Sequence, residues 1–175
     1  LVRRGIISAG EREKHFVSSF DIVGDIVVLE VMPELVKKER KIAETLLELH
    51  SSVKVVAKKA GATKGEYRLR RLKVIAGERR LSTLYRENGC RFKVDLSNIF
   101  FSSRLAFERL RIAKLVRPKE NVLVLFAGAG FYAVVAGKTQ PKSGKIVAVE
   151  LNPDAVAQMK ENIALNGMDG RIEAI

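Results

Sequence analysis

The chain has 175 residues, 47% of them hydrophobic and 30% charged, with a formal net charge of +12, which predicts a globular protein with a sizeable core and excludes a disordered one. One cysteine, Cys90, and two histidines exclude an internal disulfide framework and argue against a metal site. No signal peptide opens the sequence and no apolar run approaches the ~20 residues of a membrane span, so we expect a cytoplasmic protein without membrane contacts.

The spacing of apolar residues predicts two domains. A lead-in segment over residues 1–19 precedes a small α+β domain over residues 20–95, and an α/β domain follows over residues 96–175. The elements predicted in the first domain are strands over residues 25–31 and 53–57, a helix over residues 34–50 that follows Pro33, a third strand from Tyr67, and a hairpin around Asn88-Gly89.

The third strand carries arginines on one side. Arg68 and Arg70 alternate with Tyr67 and Leu69, so the two pairs face opposite sides of the predicted sheet. The apolar positions change parity after Arg71, which is typical of a β-bulge, and bulges often re-aim side chains near functional sites. The alternative is an edge strand whose arginines are only solvated.

The second domain reads as a βαβαβ unit that follows a connecting helix. Ser102 or Ser103 is a candidate cap for that helix, which we expect to run to about Val116. A doubly wound sheet normally has more than three strands, so we expect this domain to be truncated. The elements predicted in it are strands over residues 122–126, 145–150 and 171–175, a short helix after Gly130, and a helix that Asn152-Pro153 begins and Asn166-Gly167 ends.

The turn from Phe126 to Gly130 is a candidate cofactor site, because it follows a strand and precedes a helix. Glu150 closes the next strand 22 residues after Gly128, where Rossmann-type folds bind ribose hydroxyls. Val134 replaces the third glycine of the dinucleotide pattern, which disfavours a pyrophosphate. S-adenosylmethionine therefore fits better than NAD, and an α/β turn without a ligand is the alternative.

The connecting helix carries a carboxylate inside an apolar arc. The arc consists of Leu105, Ile112, Leu115 and Val116, and Glu108 falls within it. A carboxylate on a largely buried face has its pKa raised unless a cation pairs with it, which makes Glu108 a candidate general base or acid. The alternative is a salt bridge to a basic neighbour such as Arg104 or Arg109.

The positive charge is concentrated in one part of the chain. Residues 1–119 contain 27 Lys and Arg against 14 Asp and Glu, whereas residues 120–175 contain 5 against 6. This asymmetry predicts that the first part binds a nucleic acid and the second a small ligand. A solvated basic surface without a partner is the alternative.

Taken together, these motifs resemble the archaeal and eukaryotic tRNA (guanine-37, N1) methyltransferase family and the related wybutosine-pathway aminocarboxypropyl transferases. The resemblance runs from about residue 20 to the last residue. Its matching stretches are Phe20-Asp21-Ile22-Val23-Gly24-Asp25, Gly65-Glu66-Tyr67-Arg68, Arg86-Glu87-Asn88-Gly89, Phe101-Ser102-Ser103-Arg104-Leu105 with Glu108-Arg109, Phe126-Ala127-Gly128, and Glu150-Leu151-Asn152-Pro153.

The resemblance implies a class I S-adenosylmethionine-dependent methyltransferase domain, of Rossmann-like α/β fold, after a small α+β RNA-contacting domain. It also implies catalytic roles, with Glu108 as general base on guanine N1 and Arg68 as hydrogen-bond donor to O6. The expected partner is the anticodon stem-loop of a tRNA, and a monomer is favoured. The implied cofactor-binding residues are Phe126, Ala127, Gly128, Gly130, Glu150 and Asn152, and the implied RNA-binding residues are Arg68, Arg70, Arg86, Arg104 and Arg109.

The chain departs from the family pattern in three places. Val124-Leu125 replaces the acidic residue before the glycine turn, and Phe131 and Ser103 each replace a proline. The asparagine-proline motif that frames the target base is expected beyond residue 175. Three functions therefore stay open: guanine-N1 methylation, aminocarboxypropyl transfer, and tRNA binding without catalysis.

Overall fold

A computed structural model of the protein describes residues 1–11, 20–61, 65–67 and 69–175. The strands in these ranges are β1 (Asp21–Val23), β2 (Ile26–Leu29), β3 (Val55–Lys59), β4 (Leu72–Gly77), β5 (Ser82–Glu87), β6 (Cys90–Asp95), β7 (Val122–Leu125), β8 (Ile146–Val149) and β9 (Ile172–Ala174). The helices that we label are α1 (Glu39–Leu49), α2 (Ala106–Ala113), α3 (Phe131–Thr139) and α4 (Pro153–Leu165). None of the helices in the described ranges is long and apolar enough to cross a membrane.

The first sheet is mixed and has the strand order β1-β2-β3-β4. β2 and β3 pair in parallel, with α1 in the connection between them, while β1 and β4 pair antiparallel at the two edges. Side chains alternate along β2, so that Val27 and Leu29 join the core under α1, whereas Ile26 and Val28 join a larger core on the other face. The first sheet is therefore buried on both faces at β2.

Two of the elements predicted in this region start later than expected. The helix predicted over residues 34–50 opens as a 3₁₀ turn over Pro33–Lys38, and α1 begins only at Glu39. The third strand begins at Leu72, so the bulge predicted near Arg71 is wrong. The break in register lies instead at Ile75, which has no partner on β3.

β5 and β6 form the predicted hairpin, and Asn88-Gly89 is its turn. Both turn residues have positive φ, 48° at Asn88 and 73° at Gly89, as the tight hairpin turn requires. The inward side chains of β6, including Phe92 and Val94, are fully buried in the larger core. The hairpin thus connects the first sheet to the parallel sheet through a shared core.

The outer edge of β6 is covered by side chains of α4, which we call the amide ladder. Its members are Gln158, Asn162 and Asn166, whose side-chain oxygens accept hydrogen bonds from the backbone N–H groups of Asp95 (3.0 Å), Lys93 (2.7 Å) and Arg91 (3.0 Å). Residues four apart share one helix face, and alternate residues of a strand share one edge, so the two spacings match. Asn162 is fully buried and also donates to the carbonyl groups of Lys93 and Ala129.

The last sheet is parallel and has the order β7-β8-β9, with α3 and α4 in its two crossovers, as the βαβαβ pattern predicts. Asn152 caps α4 as expected, because its side-chain oxygen accepts a hydrogen bond from the Asp154 N–H at 3.0 Å. The strand predicted over residues 122–126 is β7, and it is not buried on both of its faces. Leu123 and Leu125 are 62% and 58% exposed, so β7 presents one apolar face to solvent.

Candidate active site

The turn between β7 and α3 lies at the carboxyl edge of the parallel sheet. Phe126, Gly128 and Gly130 all have positive φ, at 55°, 56° and 83°. At Gly130 an added Cβ would lie 2.8 Å from the Cγ of Met159, whereas at Gly128 the corresponding space is open. Phe126 is 91% exposed, and an aromatic residue held at positive φ and turned to solvent is strained, which is typical of a binding site.

Glu150 joins this turn to the loop after β8. One of its carboxylate oxygens accepts a hydrogen bond from the Gly128 N–H at 2.8 Å, and the other accepts from the N–H groups of Leu151 and Asn152, both at 2.9 Å. A carboxylate offers about four lone-pair positions, so acceptor capacity remains for a ligand hydroxyl. Glu150 therefore shapes the turn in addition to facing the edge where a ligand would bind.

Two other residues of the predicted cofactor site are engaged within the fold. Asn152 is 5% exposed, and its side chain caps α4 and donates to the Asn98 carbonyl at 2.8 Å. Ala127 is also buried, and its N–H donates to the Val149 carbonyl while its carbonyl accepts from the Gly130 N–H. A ligand contact at either residue stays a prediction.

The helix that carries Glu108 is rotated relative to the prediction. The residues expected to form a buried apolar arc are exposed by 38% (Leu105), 38% (Ile112) and 63% (Leu115). The buried residues of α2 are Arg109 and Ala113, and the helix ends at Ala113 rather than at Val116. Neither serine forms a side-chain cap, because a 3₁₀ turn over Ser103–Leu105 precedes the helix.

Glu108 is consequently a half-exposed residue with a cationic partner on the same helix. The Nε and Nη2 atoms of Arg111 each donate to one carboxylate oxygen of Glu108, both at 2.7 Å. These hydrogen bonds hold the pKa of Glu108 below its ordinary value, so the alternative of a salt bridge to a basic neighbour applies, with Arg111 as the partner instead of Arg104 or Arg109. The same hydrogen bonds raise the pKa of Arg111 and so stabilise its charge.

Arg109, which the resemblance implies to be an RNA-binding residue, lies in a buried ion pair. Its Nε and Nη2 atoms donate to the two carboxylate oxygens of Glu87 at 2.5 and 2.6 Å, and only 3% of each side chain is exposed. The guanidinium also lies 5.6 Å from the ring centroid of Phe101 and 5.4 Å from that of Phe131. We call these four residues the buried clamp, which sequence reasoning missed because nothing in it linked Glu87 to the helix.

Of the other arginines predicted to bind RNA, three are exposed and one lies outside the described residues. Arg70, Arg86 and Arg104 are exposed, and Arg104 donates to Asp21 of β1 at 2.7 Å. Arg68 lies outside the described residues. Arg70 lines a small pocket of about 60 Å³ together with Ser102 and Ser103, so Arg70 adjoins the loop that leads into α2.

A three-stranded parallel sheet with two crossover helices, a glycine turn after its first strand and a carboxylate after its second defines a nucleotide-cofactor fold of the methyltransferase class. The match to family models is more specific. The chain belongs to the TRM5/TYW2 methyltransferase family, because residues 83–175 match the TRM5/TYW2 methyltransferase domain. Residues 4–80 match the TYW2 N-terminal domain. The predicted family resemblance and fold class are confirmed.

Individual relatives support the same assignment. The chain is 38% identical over 164 residues to the tRNA (guanine(37)-N(1))-methyltransferase Trm5b of Pyrococcus abyssi, which covers 93% of this chain and 49% of the relative. The solved complex of aTrm5 and tRNALeu has a TM-score of 0.88 at 34% identity and covers 99% of this chain and 51% of that chain. P. horikoshii TYW2 in complex with MeSAdo has a TM-score of 0.75 at 31% identity and covers 95% of this chain and 58% of that chain. This chain thus spans about half the length of the relatives that it matches.

Proposed function

We propose that the protein transfers a methyl group from S-adenosylmethionine to N1 of guanosine 37 in the anticodon loop of a tRNA. One observation carries this proposal. The helix that presents Glu108 packs against α3, the helix that begins directly after Gly130 of the glycine turn. The helix of the proton acceptor and the helix of the cofactor turn are therefore in contact, which supports methylation of a ring nitrogen because that reaction needs a base and a methyl donor close together.

In this mechanism Glu108 accepts the proton of guanine N1 as general base. Loss of that proton builds negative charge on O6, which a fixed guanidinium would stabilise. We assign this role to Arg68. The assignment rests on the family motif, because Arg68 lies outside the residues that the structure describes. The neighbouring Arg70 supports the assignment, because it lines a pocket with Ser102 and Ser103 at the entrance to α2.

The cofactor would occupy the edge of the parallel sheet beside the glycine turn. S-adenosylmethionine supplies an electrophilic methyl group when bound. Phe126, Gly128, Gly130 and Glu150 are the residues that fit it, since Gly128 leaves open space and Glu150 retains acceptor capacity for ribose hydroxyls. Ala127 and Asn152 would contribute through the shape of the turn, because their polar groups are bonded within the fold.

We further propose that residues 20–95 contact the anticodon stem-loop and that residues 96–175 form the cofactor part. The exposed arginines Arg70, Arg86 and Arg104 support RNA contact, as does the excess of basic residues before residue 120. A tRNA substrate of this kind sets the reaction in the cytoplasm, and we expect the protein to act as a monomer.

A second candidate is transfer of the aminocarboxypropyl group of the same cofactor to a tricyclic base. The observation that favours it is the match of residues 4–80 to the TYW2 N-terminal domain. The replacement of the acidic residue before the glycine turn by Val124-Leu125 favours a third candidate, a tRNA-binding protein without activity.

One experiment separates the three functions. A form of the protein as long as its relatives is incubated with unmodified tRNA and with tRNA that carries the tricyclic precursor, each with labelled S-adenosylmethionine. Mass spectrometry of the digested nucleosides is then expected to show N1-methylguanosine. An aminocarboxypropyl product would identify the second function, and tRNA binding without a product would identify the third.

A further inference from the structure

The buried clamp joins three parts of the chain that lie far apart in sequence. Glu87 ends β5, Arg109 lies in α2, and Phe131 is the first residue of α3 after the glycine turn. Phe101 completes the clamp, and its ring lies 4.8 Å from that of Phe131 between centroids. One guanidinium therefore connects the hairpin, the helix of Glu108 and the helix of the cofactor turn.

Two backbone contacts add to this connection at the amino end of α2. The side-chain amide of Asn88, next to Glu87, donates to the Ala106 carbonyl at 2.9 Å. Arg109 donates a further hydrogen bond to the Ser102 carbonyl at 3.2 Å. The turn of the hairpin thus fixes both the position of α2 along its axis and its rotation about that axis.

Rotation about the axis decides where Glu108 points. Successive residues of a helix are about 100° apart, so the side that buries Arg109 determines the direction of Glu108. We propose that the Glu87–Arg109 pair is a positioning element that holds Glu108 at a fixed distance from the cofactor turn. This inference rests on the proposed function, and it gives Arg109 a role other than RNA binding.

A purely structural role is the alternative explanation of the same contacts. A buried ion pair is a weak source of stability, because removing both charges from water costs about as much as their attraction returns. An apolar pair of similar size would fill this site at least as well. The pair is better explained by a need to orient α2. Two parallel hydrogen bonds between Arg109 and Glu87 fix the orientation of the helix, whereas apolar contacts would allow it to vary.

The test compares single-turnover rates of methyl transfer at saturating tRNA and cofactor in a form as long as the relatives. We expect Arg109→Lys, which keeps the charge but loses the two parallel bonds, to lower the rate about 10²-fold, as misplacement of a catalytic group by about 1 Å does. The dissociation constants for tRNA and cofactor should stay within about twofold. The double variant Glu87→Leu/Arg109→Met should melt near the wild-type temperature and remain slow.

Val94→Ala is the matched control, because it removes buried volume from the same hairpin away from the clamp. It should lower the melting temperature without a comparable loss of rate. A near-normal rate for Arg109→Lys, or a rate that falls only in proportion to melting temperature in all variants, would overturn the positioning role.

Hydrogen exchange keeps the two proposals distinguishable. In the Arg109→Lys variant the backbone amides of α2 should exchange their hydrogens faster than in the wild type. The exchange rates of the α4 amides should be unchanged. An inactive wild-type protein would contradict the proposed function, and the exchange of α2 would still decide the inference. If α2 exchanges at the wild-type rate in the variant, the clamp does not hold that helix.

Discussion

Arg109 and Glu108 are adjacent in sequence but have opposite surroundings. The guanidinium of Arg109 is buried against Glu87 with 3% of its side chain exposed, whereas 40% of the Glu108 side chain is exposed beside Arg111. One residue anchors α2 and the next one is presented at its surface. This relationship gives the helix a buried inner side and an exposed outer side.

Glu108→Gln should slow methyl transfer by about 10²–10⁴-fold, which is the usual effect of removing a general base. The affinity for tRNA should be nearly unchanged, because the substitution keeps the shape of the side chain. Single-turnover kinetics and filter binding measure the two quantities. Glu161→Gln, on the exposed side of α4, is the control, and a near-normal rate for Glu108→Gln would remove the general base from the mechanism.

Arg111→Gln should raise the pKa of Glu108. The hydrogen bonds from Arg111 lower this pKa, so their loss should return it toward its ordinary value of 4.5. Glu108 would then become protonated at a higher pH than in the wild type. Carbon NMR of labelled glutamate carboxylates measures this shift directly in the 175-residue chain. An unchanged titration of Glu108 would show that the two side chains do not pair in solution.

Asp25→Asn should destabilise the fold at neutral pH by about 1–3 kcal/mol, the usual contribution of a hydrogen bond to a charged group. Arg80 donates to both carboxylate oxygens of Asp25, at 2.9 and 2.5 Å, and lowers its pKa from the ordinary 3.8. The contribution is therefore complete above that ordinary value and is lost as the pH falls through the lowered pKa.

Urea unfolding at pH 7 and pH 2 measures this effect. The free-energy difference between wild type and Asp25→Asn should be present at the higher pH and much smaller at the lower one. Glu78→Gln removes the more exposed partner of Arg80 and should have little effect at either pH. An equal difference at both pH values would contradict the role of the charge.

The salt dependence of tRNA binding should distinguish exposed arginines from the buried one. Each phosphate contact contributes about 0.9 to the slope of log affinity against log salt concentration. Arg86→Ala or Arg104→Ala should reduce that slope by about 1 if the side chain contacts a phosphate. Arg109→Lys should leave the slope unchanged. A slope that no arginine substitution alters would argue against the basic surface as the contact region.

Asn162→Ala should cost about 2–4 kcal/mol of stability. The substitution removes three hydrogen bonds and leaves the part-buried backbone groups of Lys93 and the buried carbonyl of Ala129 without their partner. Chemical denaturation measures the change. Gln158→Ala is the comparison variant. It removes a single hydrogen bond to the backbone of Asp95, so its loss of stability should be smaller. Equal effects of both substitutions would show that burial does not set the cost.

Local patterns in the sequence predicted most of the fold. Asn88-Gly89 and Asn152-Pro153 fix their own turn and cap chemistry within a few residues, and both appear as expected. The rotation of α2 about its axis could not be predicted, because its exposed apolar residues Phe107 and Ile112 and its buried Arg109 reverse the usual rule for helix faces. The negative charge that pairs with the buried Arg109 belongs to Glu87, 22 residues away in the sequence.

The candidate site likewise has a part that local sequence patterns predicted and a part that depends on tertiary packing. Glu150 and the glycine turn follow from strand-turn-helix spacing, and the structure places them in contact. The family motif identified Glu108 as a site residue, but helical periodicity could not predict its exposure or its pairing with Arg111. Both depend on how α2 packs in the fold. The apolar run of β7 likewise could not show that one of its faces is open to solvent.

The amide ladder also has a consequence for how chains of this protein meet one another. An open strand edge presents backbone N–H and C=O groups that can pair with a strand from another molecule, which is a common route to aggregation. Along β6 those N–H groups are already bound by Gln158, Asn162 and Asn166. The three amides therefore close the edge of β6 to the addition of a strand from another molecule.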